Sequence, residues 1–133
     1  ASPFARIMEN DLAHSLTQIG IRTMNEHQND QAKRYNVKVI TMNEFSSDLK
    51  FVFEDPIYIS IDLDGIDPAF APGVSHPEPG GISTRELLKI MSNIQGKIIG
   101  ADIVEYNPNN DINNITATTA AKLLKELMGK ILE

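Results

Sequence analysis

The hydrophobic positions along the chain fall into two spacings, which predict two kinds of secondary structure. Short runs rich in apolar and β-branched residues predict strands. Segments in which apolar residues recur every three or four positions predict helices. Strands are expected at residues 16–21, 37–40, 56–62 and 97–104, and helices at residues 3–14, 24–35 and 42–49, from residues 83–86 onwards, and at residues 115–132.

Two of these helices carry additional signals. The sequence Ser-Thr-Arg-Glu at residues 83–86 has the form of a capping box, in which the serine and glutamate side chains satisfy free backbone groups at the start of a helix. In the last helix, a stripe of apolar side chains predicts the buried face. The stripe comprises Leu123, Leu124, Leu127, Met128 and Ile131.

The alternation of strands and helices predicts a three-layer α/β/α fold, in which a mainly parallel sheet lies between two layers of helices. We expect residues 1–133 to form a single domain, because no linker, repeat or low-complexity tract interrupts the pattern. In parallel sheets, functional side chains collect beyond the carboxyl ends of the strands. Asp62, Asp64 and Glu105 all lie at such ends.

The composition narrows the classes of partner. The 133 residues carry 18 acidic and 12 basic side chains, for a net charge of −6, so a nucleic acid is not an expected partner. Apolar runs stay well short of the length that spans a bilayer, which argues against a membrane partner. The absence of cysteine excludes disulfides and thiolate metal sites and is typical of a reducing compartment, so we predict a cytoplasmic location.

The paired aspartates Asp62 and Asp64 are the first candidates for chemistry. In an extended chain, a spacing of two places both carboxylates on one side, where they are suited to bind a hard divalent cation. Alternatively, they are exposed residues that water or helix amino termini satisfy. Asp67 precedes Pro68, a pair that is typical of the start of a turn.

Two further side chains are candidates for binding. Glu105 is suited to receive a guanidinium by paired hydrogen bonds, or else to pair with a neighbouring lysine or arginine. His76 lies in residues 65–82, a loop stiffened by four prolines. It is a candidate ligand, proton carrier or pocket wall, although a solvated loop histidine is the more usual case.

Residues 61–65, Ile-Asp-Leu-Asp-Gly, resemble the first motif of haloacid-dehalogenase-type phosphatases, in which an aspartate is the nucleophile. That family has a threonine after the glycine, whereas Ile66 stands here, and no adjacent acidic pair follows to bind magnesium. A magnesium phosphatase therefore stays as an alternative only.

A longer resemblance covers most of residues 3–128. Residues 60–73, Ser-Ile-Asp-Leu-Asp-Gly-Ile-Asp-Pro-Ala-Phe-Ala-Pro-Gly, and residues 77–81, Pro-Glu-Pro-Gly-Gly, resemble the signature of the ureohydrolases, the arginase and agmatinase enzymes. Residues 18–22, Gln-Ile-Gly-Ile-Arg, and residues 102–108, Asp-Ile-Val-Glu-Tyr-Asn-Pro, resemble further segments of that family in the same order.

The resemblance implies a hydrolase that uses two manganese ions. Asp62 would bridge the ions, Asp64 would bind one of them, and Glu105 would act as the catalytic and substrate-binding carboxylate for a small cationic guanidino compound. Two cations lower the pKa of bound water and supply a nucleophile near neutral pH, so that attack on the guanidinium carbon releases urea. His76, which stands where the family usually has a threonine, would lie beside the substrate.

The sequences of loop residues 69–73 and 77–79 resemble those of agmatinases. This resemblance implies hydrolysis of agmatine to putrescine and urea, a step of polyamine biosynthesis. Arginases place an aspartate soon after the Gly-Ile-Arg strand, whereas Thr23-Met24-Asn25 follows here. An arginase, or another guanidino or amidino hydrolase, is the alternative. The family commonly forms trimers or hexamers, so the resemblance also implies a homo-oligomer.

The resemblance is to the carboxyl-terminal half of the family's catalytic chain. The family's remaining ligands are a histidine and an Asp-x-His-x-Asp cluster that lie upstream of the matched segments, and residues 1–133 contain no such cluster. Two carboxylates without a histidine make a weak manganese site, so we expect the isolated chain to be inactive. A chain that begins at Ala1 is a piece of a longer protein or has lost its initiator methionine; a non-catalytic ureohydrolase-like module is a further alternative.

Overall fold

The computed structural model describes residues 3–132 and has two compact units, one ending at Phe45 and the other beginning at Ser46. Each unit combines helices with paired strands. Every strand pair among the described residues is parallel. The predicted α/β class with parallel pairing is therefore confirmed.

The first unit contains two helices and one pair of strands. Its elements are α1 (Pro3–Glu9), β1 (Thr17–Ile21), α2 (Glu26–Arg34) and β2 (Lys38–Thr41). β1 and β2 run parallel, with Ile19 opposite Ile40. Asn25 and Gln28 form a capping box at the start of α2, because the side chain of each accepts a hydrogen bond from the backbone N–H of the other.

The second unit holds the longer strands and helices. Its elements are β3 (Phe51–Val52), β4 (Ile57–Asp62), a 3₁₀ helix (Leu63–Gly65), α3 (Thr84–Ser92), β5 (Ile94–Gln95), β6 (Ile98–Val104), a 3₁₀ helix (Pro108–Asn110) and α4 (Ile115–Leu132). β4 pairs with β6 along its length, from Ile57 opposite Ile98 to Asp62 opposite Val104, and β3 pairs with β5. The sequence does not predict β3 or β5, because a strand of two residues leaves no pattern of alternation.

One face of β4 and β6 forms the core of the second unit. Ile59 and Ile61 of β4 lie on this face beside Ala101 and Ile103 of β6. Because side chains alternate along a strand, the opposite face carries the residues between them. The buried side chains packed into this core are Ile61, Leu63, Ile66, Ala71, Val74, Met91, Leu123 and Leu127.

Two of the predicted helices differ from the structure. The helix predicted over residues 3–14 ends after seven residues, and Asp11 beyond it has a φ of 52°, which a right-handed helix does not accommodate. The helix predicted over residues 42–49 is wrong. That segment forms turns, in which the Glu44 N–H donates to the Thr41 carbonyl and the Leu49 N–H to the Ser46 carbonyl. The Ser46 hydroxyl also accepts from the Asp48 N–H, a local bond of the kind by which serine competes with a helix.

α4 buries a narrower face than its sequence predicts. Leu123 and Leu127 are 0% and 1% exposed, whereas Leu124, Met128 and Ile131 are 51%, 55% and 41% exposed. The prediction of a buried stripe is wrong for those three, because α4 packs on β6 and α3 along one line of residues spaced by three or four positions. None of the described helices, including this one of 18 residues, is long and apolar enough to cross a membrane.

Candidate functional site

The carboxyl end of β4 places Asp62 and Asp64 in a capped turn. β4 ends at Asp62, and the chain then enters the 3₁₀ helix Leu63–Gly65. The Asp62 Oδ1 accepts a hydrogen bond from the backbone N–H of Asp64 at 2.8 Å. The two aspartates therefore do not lie in one extended segment, as their spacing predicted. Asp62 instead caps the turn that carries Asp64.

Asp62 and Asp64 differ in exposure. Asp62 is exposed, whereas the side chain of Asp64 retains 20% exposure. Partial burial of a carboxylate is unfavourable unless a cation or hydrogen-bond donors compensate its charge. Carboxylate oxygens are the donors that manganese and other hard divalent ions prefer, so the two residues fit the predicted ion in their chemistry.

Three segments of the second unit bring Asp64, His76 and Glu105 together. One potential ligand atom from each lies within 4.8 Å of the others, and the His76 Nδ1 is 3.6 Å from the Asp64 Oδ2. Asp62 is not a member of this group of three. The fold thus clusters three of the four predicted site residues, and their roles remain predictions.

Glu105 adopts an unusual backbone conformation immediately after β6. Its φ is +67°, in the left-handed region that costs a non-glycine residue about 1–3 kcal/mol and that occurs preferentially at functional sites. Among residues 3–132, Glu105 makes no ion pair with lysine or arginine. The alternative prediction, that Glu105 pairs with a neighbouring lysine or arginine, is therefore not met in the described part of the chain.

Asn107 ties the His76 loop to the segment that carries Glu105. Its backbone N–H donates to the Gly73 carbonyl at 2.8 Å, and its Nδ2 donates to the Ser75 Oγ at 3.1 Å. Asn107 carries no role predicted from its sequence context. The tripeptide Glu-Tyr-Asn offers no periodic signal, and only the approach of the two segments gives the amide its partners.

A buried threonine secures the same loop from α4. Thr116 is fully buried, and its Oγ1 accepts a hydrogen bond from the Gly73 N–H at 2.6 Å. A β-carbon at Gly73 would lie 2.7 Å from the Asp111 Cβ and 2.9 Å from the Thr116 Oγ1. Glycine is therefore required here by the close approach of the loop to the start of α4.

Asp111 organises the start of α4. Desolvation alone would raise the pKa of this carboxyl, but hydrogen bonds from the N–H groups of Thr116 and Ala117 outweigh it and hold the pKa below its ordinary value of 3.8. The Tyr106 hydroxyl also donates to the Asp111 Oδ2, at 3.1 Å. Desolvation first, and then this bond, raise the pKa of Tyr106.

Asp67 closes the other end of the His76 loop. Its Oδ1 accepts from the Ala69 N–H at 2.9 Å, which is the turn that the Asp-Pro pair predicts. Its Oδ2 accepts from the N–H groups of Gly80 and Gly81 at 2.7 and 3.1 Å. One carboxylate therefore joins the two ends of the loop, a role that the turn signal alone does not reveal.

The face of β4 and β6 opposite the core carries a second polar contact. The Tyr58 hydroxyl donates to the Asp102 Oδ2 at 3.2 Å. The Asp102 Oδ1 is buried and has no hydrogen-bond partner among the described residues. Desolvation, followed by the charge of Asp102, raises the pKa of Tyr58.

The fold is that of an α/β protein in which acidic side chains and one histidine gather near the carboxyl ends of parallel strands. The carboxylates of Asp64 and Glu105 and the imidazole of His76 meet there, a donor set suited to a metal ion or an organic cation. Residues 1–129 match the model of the arginase family, and the chain belongs to that family. This match favours the ureohydrolase interpretation over the phosphatase alternative.

The curated relatives of the chain include plant arginases. The chain is 48% identical over 139 aligned residues to a protein of Arabidopsis thaliana named arginase 1, mitochondrial, with 98% of the chain and 41% of the relative covered. It is 34% identical to the guanidinopropionase of Pseudomonas aeruginosa. The chain thus spans 41% and 44% of the length of these relatives.

Solved structures of the family share the fold. The arginase of Medicago truncatula superposes with a TM-score of 0.92 at 46% identity, covering 98% of this chain and 44% of that one. A mutant of the T. brucei arginase-like protein, described as bound with Mn²⁺, superposes with a TM-score of 0.89 at 31% identity, covering 99% and 48%. The predicted α/β architecture of the arginase-like type is confirmed.

The predicted cytoplasmic location is wrong on the same comparisons. The Arabidopsis relatives are named as mitochondrial and as chloroplastic/mitochondrial proteins, and neither name indicates the cytosol. The prediction rested on the absence of cysteine, and that absence indicates a reducing environment without distinguishing the cytosol from the interior of an organelle.

Proposed function

We propose that this chain supplies the substrate carboxylate and part of the manganese site of a guanidino hydrolase whose substrate is arginine. Similarity to plant arginases supports arginine as the substrate. It outweighs the resemblance of loop residues 69–73 and 77–79 to agmatinases, which predicted agmatine. The observation that carries the proposal is the convergence of Asp64, His76 and Glu105 within 4.8 Å at the carboxyl ends of β4 and β6.

In this proposal Asp62 and Asp64 hold manganese, as the oxygen-donor chemistry of the capped turn allows. Bound manganese supplies Lewis acidity and a water-derived nucleophile near neutral pH. Glu105 binds and orients the planar guanidinium, and its charge offsets that of the cation. His76, exposed beside Asp64, forms one wall of the substrate position.

Urea release tests the proposal. Arginine and agmatine are supplied to the complete polypeptide that contains this chain, loaded with Mn²⁺, and to the 133-residue chain alone. We expect urea from arginine with the complete polypeptide and none with the isolated chain, whose residues lack the upstream ligand cluster. Urea from agmatine in preference to arginine would refute the choice of substrate, and urea from neither would refute the proposed activity.

Two substitutions in the complete polypeptide separate the proposed roles. Glu105→Gln should raise KM by about tenfold to a hundredfold while manganese content is unchanged, because a charged hydrogen bond contributes about 1.5–3 kcal/mol. Asp62→Asn should lower manganese content and abolish turnover. Glu54→Gln removes an exposed carboxylate of the same unit and serves as the control; loss of metal from Glu105→Gln would mean that Glu105 is a ligand.

A further inference from the structure

The Asp64, His76 and Glu105 group shares Asp64 with the predicted manganese site but has a different donor set. It contains an imidazole nitrogen and two carboxylates, and it does not include Asp62. The three residues come from a 3₁₀ helix, a loop and the residue after β6. Imidazole favours zinc and its neighbours, whereas manganese favours oxygen donors.

The spacing of the donor atoms is within reach of a single ion. Zinc–ligand bonds of about 2.0–2.2 Å place the ligands of a tetrahedral ion about 3.3 Å apart. The His76 Nδ1 and Asp64 Oδ2 are already 3.6 Å apart, and all three donors lie within 4.8 Å. His76 is 84% exposed and Glu105 is also exposed, so rotations of these two side chains can close the remaining distance.

The backbone around the group is held in place before any ion binds. The hydrogen bonds of Asn107 to Gly73 and Ser75 fix the spacing between the His76 loop and the Glu105 segment. Asp67 closes that loop through Gly80 and Gly81. Ion binding therefore requires side-chain rotation without rearrangement of the fold, which limits its entropic cost.

We propose that Asp64, His76 and Glu105 bind one zinc-type divalent ion more tightly than manganese, and that the bound ion excludes the cationic group of the substrate from Glu105. The donor set and the stability order of the divalent metals both favour zinc. The binding itself is independent of the proposed function. Only the exclusion of substrate rests on it, since the Glu105 carboxylate cannot hold zinc and the substrate cation in the same geometry. Asp64 holds zinc through the Oδ2 that faces His76 and manganese through its other oxygen, because a carboxylate can bridge two ions.

Calorimetric titration of the 133-residue chain with Zn²⁺ and, separately, with Mn²⁺ tests the binding. We expect one Zn²⁺ per chain, with a dissociation constant at least tenfold below that for Mn²⁺. His76→Ala should weaken Zn²⁺ binding at least tenfold and Mn²⁺ binding by less than threefold. His27→Ala, which removes an exposed histidine of α2, is the matched control and should change neither.

Visible absorption of bound Co²⁺ provides an independent measurement, because its d–d bands report nitrogen coordination. We expect His76→Ala to shift these bands and His27→Ala to leave them unchanged. Equal Zn²⁺ affinity in the parent chain and in His76→Ala would overturn the site. So would tighter binding of Mn²⁺ than of Zn²⁺.

Inhibition kinetics in the complete, manganese-loaded polypeptide test the consequence. Zn²⁺ should act as a competitive inhibitor against arginine, and His76→Ala should raise the inhibition constant at least tenfold. Non-competitive inhibition that His76→Ala leaves unchanged would refute substrate exclusion. If no guanidino substrate is hydrolysed, the proposed function fails, while the calorimetric result still decides whether the zinc site exists.

Discussion

At the scale of single residues, the loop that carries His76 depends on a few polar groups that the core holds in place. The Thr116 Oγ1 receives the Gly73 N–H in a fully buried position, and the Asn107 amide reaches Ser75 beside His76. A buried N–H without its acceptor retains the full cost of desolvation. The position of His76 relative to Glu105 therefore depends on side chains that belong to neither residue.

Thr116→Val tests this dependence. Valine keeps the shape and β-branching of threonine but offers no acceptor to the Gly73 N–H, so we expect a loss of about 1–3 kcal/mol in the free energy of unfolding. Urea denaturation followed by circular dichroism measures it. Thr118→Val, at an exposed position of the same helix, controls for the substitution, and an equal loss in both variants would contradict the role of the buried hydroxyl.

At the scale of elements, α3 and α4 are positioned by different means. α3 begins with a reciprocal capping box between Ser83 and Glu86, in which the backbone N–H and the hydroxyl of Ser83 both donate to the glutamate. α4 is positioned by Leu123 and Leu127, which are buried against β6 and α3. Electrostatics thus contributes more at the start of α3, and apolar burial more along α4.

Because Leu123 and Leu127 are the buried leucines of α4 and the residue that follows each is exposed, substitutions at adjacent positions should differ sharply in their effect on the free energy of unfolding. Leu127→Ala should lower the free energy of unfolding by about 2–5 kcal/mol, because it leaves a cavity in the core. Met128→Ala removes a side chain that is half exposed and should cost less than about 1 kcal/mol. Chemical denaturation of the two variants measures the contrast, and similar losses would mean that the exposed row of α4 is covered in solution.

The capping box of α3 predicts a dependence of stability on pH. The Ser83 hydroxyl, then its N–H, hold the pKa of Glu86 below its ordinary value of 4.5 against a smaller opposing effect of desolvation. A folded-state pKa below the unfolded one means that the ionised carboxylate stabilises the fold above about pH 4.5. That stabilisation is lost as the pH falls through the folded pKa.

Glu86→Gln isolates this contribution, because glutamine keeps the acceptor for Ser83 but does not titrate. Thermal unfolding between pH 3 and 7 should show a shallower acid decline in Tm for the variant than for the parent chain. Glu54→Gln is the control at an exposed position and should keep the parental slope. A parental slope in Glu86→Gln would show that the capping box does not contribute to the acid response.

At the scale of the whole molecule, apolar burial is concentrated in the second unit. The core cluster lies entirely between Ile59 and Leu127, whereas in the first unit the described buried positions are Gly20 and Ile40. A unit that buries little apolar surface opens more easily than one with a continuous core. The two units should therefore differ in local stability.

Amide hydrogen exchange measures this difference. We expect the backbone N–H groups of β4 and β6 to exchange at least tenfold more slowly than those of β1 and β2 under native conditions. Ile61 and Ile103 are suitable reporters for the second unit, and Ile19 and Ile40 for the first. Equal protection in the two strand pairs would show that the chain opens as a single cooperative unit.

Local features of the sequence account for most of the longer strands and helices. Apolar spacing predicts β1, β2, β4, β6 and most of three helices, because period and capping are local properties. It fails over residues 42–49, where the Ser46 hydroxyl accepts a local hydrogen bond from the Asp48 N–H in competition with the helix. It also places Leu124 in the core beside Leu123, because periodicity does not reveal which of two adjacent apolar rows meets a neighbouring element.

The candidate site also has a part that the sequence predicts and a part that only the tertiary structure shows. The motif around Asp62 and Asp64 is contiguous, so the sequence alone identifies these carboxylates. It also predicts that they and Glu105 lie at or just beyond the carboxyl ends of strands. The tertiary structure decides that Asp64 meets His76 and Glu105 and that Asn107 links their segments. Such contacts depend on the approach of segments far apart in the chain, and residue types and local spacing carry no measure of that approach.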